Sequence, residues 1–237
     1  LGGGEMIDTI LIKKRFCGPP DSGNGGYVCG MLAQYLDGVV EVRLMKPPPL
    51  EKPLFVEHTG DGRVQLKNGD AVIAEARKGR LDIETPDPPS FEEAREAMTH
   101  YVSEDEHFFP TCFVCGPARR EKDGLRIFPG RVPDRLMVAS AWVPDETLSD
   151  VHGIVRPEFV WASLDCPGAF AVLGAGIGPI VLGSITAEIL KHPTVGENCI
   201  AVGWEIASEG RKRFAGTALF SETGSPLARA RAIWFEI

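Results

Sequence analysis

The residue best placed to do chemistry in this sequence is an aspartate inside an apolar helical segment. Asp165 stands in FVWASLDCPGAFA, residues 159–171, where its neighbours are apolar or small. Aspartate is disfavoured in helices, and burial of its carboxylate is costly without a partner. Burial also raises a carboxyl pKa, so we predict that Asp165 is a general base or a nucleophile. The alternative is that Asp165 caps the backbone at a bend caused by Pro167.

A glycine-rich turn precedes the first apolar helical segment. Gly25 and Gly26 leave backbone N–H groups unpaired at a helix start, which carries partial positive charge. We therefore predict that Asn24, Gly25, Gly26 and Tyr27 contact substrate, with the amides near Gly26 and Tyr27 holding an anion. The alternatives are that the glycines only turn the chain and that Asn24 caps the helix.

Two further side chains lie near Asp165 in the sequence. Trp161 is one helical turn before it, so we expect its ring to line a pocket there. His152 precedes the same helical segment, and a histidine paired with an acid can remove and deliver protons. The alternative for His152 is a loop residue without a catalytic role.

Cys112-Phe-Val-Cys115 has the spacing of two thiolates that hold one edge of a metal site. A tetrahedral site needs a second pair of ligands. His100 and His107 do not complete a standard spacing, and Cys166 is solitary. We therefore predict no metal and no other cofactor, and expect a structural turn or a redox dithiol at Cys112 and Cys115.

Composition limits the class of protein. The chain has 237 residues, of which 43% are hydrophobic and 24% charged, so it can bury a full core. Its net charge of −8 disfavours nucleic acid, and no apolar run is long enough for a membrane span. The six cysteines are too scattered for a secreted disulfide scaffold, and LGGGEM lacks the features of a signal peptide. We predict a cytoplasmic protein.

The first part of the chain reads as one helix followed by strands. Residues 6–15 favour a strand, and the turn-rich FCGPPDSGNGG leads into a predicted helix over 26–37 that ends at Gly38. Alternating runs then continue to Ile83. The following TPDPP breaks the sheet. Ser90 and Glu93 stand in capping-box spacing, which predicts a surface helix in a linker.

The later part repeats this plan, with a predicted helix over 157–173 followed by four strand-like runs. The ends of the two parts align without a gap, AVIAEARKGRLDI over SPLARARAIWFEI. The matched positions are Ala74 with Ala228, Ala76 with Ala230 and Arg77 with Arg231. A repeated order of elements indicates internal duplication. We predict a first unit over 1–88, a linker over 89–107 and a second unit over 108–237.

A duplicated unit of this kind, with GNGGYVCG at 23–30 and FVWASLDCPGAFA at 159–171, resembles the double hot dog proteins. The Ser-Leu-Asp step on the second helix is similar to that of type II acyl-CoA thioesterases. The resemblance implies an α+β fold of two hot dog units, each an antiparallel sheet wrapped around a central helix. It also implies one active tunnel between the halves, an acyl thioester of CoA as the small-molecule substrate, and an acyl-CoA hydrolase without a cofactor.

The resemblance assigns Asp165 as the base, with a hydroxyl from Ser184 or Thr186 and an amide oxyanion donor at the Gly25–Gly26 turn. A glutamine expected in the last strand is missing, because LARARAIWFEI contains none. A non-catalytic acyl-CoA binding protein is therefore an alternative. Another is an enoyl-CoA hydratase or dehydratase that uses His152 with Asp165. Association into a homodimer through sheet edges is a further expectation.

Overall fold

A computed structural model describes residues 8–173 and 178–237 of the chain. The first half contains β1 (Thr9–Leu11), α1 (Gly25–Ala33), β2 (Val40–Leu44), β3 (Pro53–His58), β4 (Val64–Asn68) and β5 (Ala71–Lys78). The linker contains α2 (Phe91–Ala97). The second half contains β6 (Gly130–Arg131), β7 (Val138–Trp142), α3 (Pro157–Ser163), α4 (Cys166–Val172), β8 (Ile180–Ile189), β9 (Cys199–Glu209), β10 (Lys212–Ser221) and β11 (Pro226–Glu236).

The strands form one antiparallel sheet of eleven, in the order β1-β3-β4-β5-β2-β8-β11-β10-β9-β7-β6. The first five follow the order β1-β3-β4-β5-β2. The short β6 lies at the opposite edge of the sheet. From there inwards, the second half follows the order β7-β9-β10-β11-β8. The two orders match, with β7 corresponding to β1, β9 to β3, β10 to β4, β11 to β5 and β8 to β2. Such a repeat is what an internal duplication produces, and β2 and β8 pair where the halves meet.

The register at this junction has two-fold symmetry. Val40 pairs with Ala187, and Val42 pairs with Ile185. If Val40 corresponds to Ile185 and Val42 to Ala187, each pair maps onto the other. Both strands turn these residues into the core, where Val42, Ile185 and Ala187 are fully buried. The two halves therefore meet as equivalent surfaces around one continuous core.

The aligned alanines occupy equivalent places in equivalent strands. Ala74 of β5 pairs with Leu44 of β2, and Ala228 of β11 pairs with Ile189 of β8. Ala76 and Ala230 are fully buried, as are the other two alanines. Small side chains at these positions leave room beneath the sheet for the helices that pack there.

The two halves also meet through their helices, because α1 packs directly against α3. A Cβ atom added to Gly30 would lie 2.7 Å from Cα of Glu158 and from Cβ of Trp161. A Cβ on Gly26 would lie 2.6 Å from Cβ of Asp165. Glycines one turn apart thus let the α1 backbone approach the second half at a distance that no other residue permits.

The helix boundaries differ from the predicted ones. The helix predicted over 26–37 ends at Ala33, and Gly38 adopts a positive φ of 79° in the following turn. The helix predicted over 157–173 is two helices, broken at Leu164 and Asp165. Pro167 lies in the first turn of α4, where its missing N–H leaves no bond unmade. The bend expected near Pro167 is therefore present.

The linker helix α2 begins as predicted. Ser90 is its N-cap, with the Glu93 amide donating to the Ser90 hydroxyl and the Glu93 carboxylate accepting from the Ser90 amide. Ala94 and Ala97 on its inner face are buried against β7 in a second, smaller apolar cluster. Within the described residues, no helix has the length and hydrophobicity that crossing a membrane requires.

Candidate active site

Asp165 lies at the break between α3 and α4 and is only 2% exposed. Its Oδ2 atom accepts hydrogen bonds from Asn24 Nδ2 at 2.7 Å and from the Gly26 amide at 2.9 Å, both in the first half of the chain. Its Oδ1 atom is buried and has no hydrogen-bond partner among the described residues. The side chain does not cap α4, so the capping alternative is wrong.

The environment of Asp165 favours its protonated form more than water does. Desolvation by burial raises the pKa of this carboxyl to about 7, while the hydrogen bond from the Gly26 amide acts in the opposite direction. A nearby Cys112 thiolate raises the pKa, and the Asn24 hydrogen bond lowers it. The carboxyl therefore titrates close to neutral pH, where it can both accept and return a proton.

Asn24 connects three parts of the site. Its Oδ1 atom accepts from the Tyr27 amide at 2.9 Å, so Asn24 caps α1, as the alternative reading expected. Its Nδ2 group donates to Asp165 and also approaches Cys112 Sγ at 3.8 Å. Because the side chain is 2% exposed, these contacts fix its orientation without competition from water.

The expected anion site on the amides of Gly26 and Tyr27 is wrong, because both amides already have acceptors. The Gly26 amide donates to Asp165 and the Tyr27 amide to Asn24. The Tyr27 ring is part of the core, stacked on Phe16 with 4.3 Å between centroids. The Gly25 amide has no acceptor among the described residues, and Gly25 lines the cavity beside Asp165.

A cavity of about 1070 Å³ extends from Asp165 between the two halves. The chain segments that line it come from both halves and from the loop after α2. Its apolar wall includes Leu44, Pro48, Phe109, Ala169, Phe170, Leu173, Leu182 and Trp234. Exposed cations also belong to its lining, at Arg43, Lys46, Arg131 and Lys212, and none of these four forms an ion pair among the described residues.

The structure places the other predicted residues in different surroundings. Ser184 lines the cavity and is half-buried. Thr186 is not in the cavity lining; it lies opposite Glu41 in the β2–β8 pairing, with its methyl group towards Gly79. Neither hydroxyl has a hydrogen bond to Asp165 among the described residues, because both face away from the core side of β8, where Ile185 and Ala187 are buried.

Two predicted contacts with substrate are corrected by the structure. Trp161 is buried against Gly30 at the α1–α3 contact and does not line the cavity. His152 lies in an exposed turn, where its amide donates to Asp150, and it is outside the cavity lining. The structure therefore does not bring His152 to Asp165, as a hydratase or dehydratase would require.

Sequence reasoning missed a group of buried thiols beside Asp165. The Sγ atoms of Cys112, Cys115 and Cys166 all lie within 4.8 Å of one another, and those of Cys112 and Cys166 are 3.8 Å apart. All three residues line the cavity. Side-chain hydrogen bonds from Cys115 and Cys166, with backbone hydrogen bonds from Cys115 and Val114, hold the pKa of the Cys112 thiol well below its usual range. The sequence contains one signal for this group of thiols, which is that Cys166 directly follows Asp165.

No protein-family model matches the sequence, and no curated protein sequence is significantly similar to it. Solved structures are similar over almost the whole chain. The acyl-CoA thioesterase II TesB2 of Mycobacterium marinum is 12% identical, with a TM-score of 0.63 over 100% of this chain and 95% of that one. The TesB protein of Mycobacterium avium subspecies paratuberculosis is 14% identical, with a TM-score of 0.59 over 91% and 87%.

A hot dog protein of unknown function from Alicyclobacillus acidocaldarius is 11% identical, with a TM-score of 0.57 over 100% of this chain and 95% of that one. The chain therefore has the hot dog fold, present twice along one sheet. More particularly, its fold is that of the TesB-type thioesterases. This likeness agrees with the resemblance drawn from the glycine-rich turn and the Asp165 helix.

Proposed function

We propose that this protein hydrolyses an acyl thioester of CoA, with Asp165 as the general base. The observation that carries the proposal is the carboxylate of Asp165, a residue of the cavity lining: Asn24 and Gly26 fix one oxygen, and the other is buried without a hydrogen-bond partner among the described residues. A buried acceptor without a partner costs free energy in a structural role. A water held on Oδ1 would satisfy it and stand ready to react.

The reaction follows from this arrangement. Asp165 Oδ1 removes a proton from the water while the water oxygen bonds to the thioester carbonyl carbon. The C–S bond then breaks, the proton on Asp165 passes to the departing CoA sulfur, and a carboxylic acid remains. The base ends the cycle in its starting form, so no cofactor or second reactant besides water is consumed.

The developing negative charge on the carbonyl oxygen needs a donor, and the Gly25 amide supports this role. It belongs to the first turn of α1, a helix of nine residues, and it has no acceptor among the described residues. Both the unpaired N–H and the helix dipole favour an anion at this point. Of the two predicted hydroxyls, Ser184 lines the cavity, but it faces away from the core side of β8, and the proposal gives it no step.

Asn24 provides an amide beside the catalytic carboxylate, where the resemblance implied a glutamine from the last strand. Its 2.7 Å hydrogen bond holds Asp165 in one orientation. The amide thus comes from the first half and the carboxylate from the second. In this proposal each half wraps its sheet around a central helix, α1 in one half and α3 with α4 in the other, and the single site forms where these helices meet.

The lining of the cavity supports CoA as the carrier. The apolar wall suits an acyl chain, and the unpaired cations at Arg43, Lys46, Arg131 and Lys212 suit phosphate groups. Besides Asp165, the lining contains two acids, Glu106 and Glu41, and the carboxylate of Glu41 pairs with Arg77. The four cations therefore outnumber the acids of the lining on a chain whose net charge is −8.

Thioester cleavage by wild type and by Asp165→Asn tests the proposal. The amide keeps the size of the side chain and an acceptor for Gly26 but cannot take a proton, so kcat should fall by about 10²- to 10⁴-fold. The release of free CoA thiol from acyl-CoA esters of increasing chain length measures this. Asp70→Asn, an exposed carboxylate outside the cavity lining, is the matched control.

Two results would contradict the proposal. Equal rates for wild type and Asp165→Asn, with both variants folded by circular dichroism, would remove the catalytic role of the carboxylate. Binding of acyl-CoA by wild type in calorimetry, without release of thiol at any chain length, would instead identify an acyl-CoA binding protein.

A further inference from the structure

The cluster of Cys112, Cys115 and Cys166 has no part in the proposed hydrolysis, yet it is assembled from distant segments. The first two cysteines belong to the loop that follows the linker, and Cys166 is the first residue of α4. All three are less than 7% exposed. Cysteine residues brought together in this way, with no disulfide between them, are the usual ligands of a borderline-soft metal ion.

The sulfur positions fit a tetrahedral zinc ion. Two thiolates at the Zn–S distance of about 2.3 Å lie about 3.8 Å apart along an edge of the tetrahedron. Cys112 Sγ and Cys166 Sγ are separated by 3.8 Å. The third sulfur, from Cys115, lies within 4.8 Å of both, so a small side-chain movement would complete a triangular face.

The Cys112–Cys115 loop has a backbone suited to holding a thiolate. The Cys112 amide donates to the Phe109 carbonyl at 2.9 Å, which fixes the start of the loop. The Gly116 amide donates to the Cys112 carbonyl at 2.9 Å and closes the turn. A Cβ on Gly116 would lie 2.5 Å from the carbonyl oxygens of Cys112 and Pro110, so this turn requires glycine. Asn24 Nδ2 adds a further polar contact to the same sulfur.

We propose that Cys112, Cys115 and Cys166 bind one Zn²⁺ ion as thiolates, with the fourth position open to the cavity. The three thiol protons pass to solvent as the metal binds. The ion neutralises buried sulfur charge that would otherwise be costly beside the Asp165 carboxylate. The three ligands line the cavity, so a water molecule or a small ligand from the cavity fills the fourth position.

His107 supports the site without being a ligand. Its Nδ1 atom accepts from the Phe109 amide at 2.9 Å, which places the proton of the neutral ring on Nε2. That nitrogen lies 2.8 Å from the Tyr101 hydroxyl and 3.5 Å from Cys115 Sγ. It therefore donates to its neighbours and has no lone pair for the metal. Such outer hydrogen bonds orient a ligand and tune its charge.

The site would fix the geometry of Asp165. Cys166 directly follows Asp165 at the helix break, and the other two ligands sit on a separate loop. A metal ion shared by the two segments would hold the α4 start against that loop. It would thereby maintain the carboxylate at the cavity wall even when the cavity is empty.

Metal content tests the proposal independently of any activity. The full chain, produced with added zinc and dialysed without chelator, should carry about one Zn²⁺ per chain by elemental mass spectrometry. Cys112→Ser, Cys115→Ser and Cys166→Ser should each lower this to less than about a tenth, because a neutral hydroxyl is a poor zinc ligand. Cys29→Ala and Cys199→Ala, two buried thiols outside the cluster, should retain the metal.

Spectroscopy and thiol counting resolve the other outcomes. Replacement of zinc by Co²⁺ should give thiolate-to-metal charge transfer and the intense visible bands of a tetrahedral ion.

The variant His107→Ala should keep the metal with about 10- to 100-fold weaker affinity. Complete loss of the metal would make His107 a ligand and overturn the open fourth position. Absence of both zinc and cobalt signals in folded wild type would overturn the proposal, as would a disulfide that leaves four of the six thiols titratable after unfolding.

Discussion

At the scale of single residues, the site depends on a carboxylate that is half satisfied. Asp165 Oδ2 has two donors from the first half of the chain, and Oδ1 has none among the described residues. Aspartate in an apolar segment was visible in the sequence and marked this residue. Its partners were not visible as such, because the same pattern around Asn24 is typical of an ordinary helix cap.

Asn24→Ser separates the two roles of Asn24. Serine is an equally good N-cap, so the cap itself is kept, but loss of the buried hydrogen bond to Asp165 should still lower the free energy of unfolding by about 1–3 kcal/mol. The hydrogen bond to the Asp165 carboxylate is lost, and kcat should fall by about 10- to 100-fold, as expected for a charged hydrogen bond. Denaturant unfolding and thioester cleavage, measured on one preparation, check the pair of expectations. An unchanged kcat would show that Asn24 does not position the base.

At the scale of elements, close contact between α1 and α3 decides whether the site forms. The contact depends on glycine at two positions one turn apart, Gly26 and Gly30, where Cβ atoms would collide with the second half. The break between α3 and α4 then turns Asp165 towards α1. Helix breaks and glycine contacts are local in sequence, but the surface each one meets is supplied by distant residues.

Gly30→Ala tests the helix contact. The added methyl group would lie 2.7 Å from Cα of Glu158, which cannot move without the α3 backbone, so stability should fall by about 1–3 kcal/mol. Activity should fall with it, because α1 carries Asn24 and Gly26. Gly60→Ala is the control, since a Cβ there meets nothing within 4 Å, and it should change stability by less than about 0.5 kcal/mol. Equal effects of the two substitutions in denaturant unfolding would contradict a tight contact.

At the scale of the whole molecule, the two halves share one topology, but they carry different residues at the contact between their helices. The α1–α3 contact brings Gly26 beside Ala162 and Gly30 beside Glu158, so a two-fold axis makes Gly26 equivalent to Glu158 and Gly30 to Ala162. The same equivalence places Ala33 at the position of Asp165. The second site that symmetry would allow therefore has an alanine where the first has the Asp165 carboxylate, and its helix start carries Glu158 in place of a glycine.

From this asymmetry we expect one active site per chain. A non-hydrolysable acyl-CoA analogue should bind in calorimetry with a stoichiometry of about one per chain, and Asp165→Asn should keep that binding because the cavity is unchanged. A stoichiometry near two would show that the Ala33 side also accepts substrate, against the equivalence drawn from the helix contact.

The cations around the cavity should affect binding more than turnover. Arg131→Glu should raise KM for acyl-CoA by about 2- to 5-fold with little change in kcat, because an exposed ion contact contributes up to about 1 kcal/mol to both ground and transition states. The increase should shrink at high salt. Arg95→Glu, at an exposed position of α2 outside the cavity lining, is the control. A fall in kcat with an unchanged KM would place Arg131 in a different role.

Association between chains stays a prediction at this scale. The sheet ends in β1 and β6, which are only three and two residues long. Short edge strands offer few free backbone groups for pairing with another chain. Dimerisation through these edges would therefore need additional contacts. The cytoplasmic location and the unit boundaries at 88, 107 and 108 also stay predictions.

The sequence by itself predicted the class of fold and identified Asp165 as the central residue of the candidate site. Alternating strands after each helix, the aligned alanines of the two ends and a carboxylate among apolar residues are local patterns, and each has a local physical cause. The capping box at Ser90 and the bend near Pro167 were predictable for the same reason, because they depend on neighbours in the chain.

Only the tertiary structure decided which groups meet. Asn24 and Gly26 reach Asp165, and Cys166 reaches Cys112, because glycines let two helices touch and a two-fold register joins β2 to β8. His152, Thr186 and Trp161 are outside the cavity lining for the same reason, since packing decides which surface each of them faces. Contacts between residues far apart in sequence have no local signature, so the chain had to fold before they were defined.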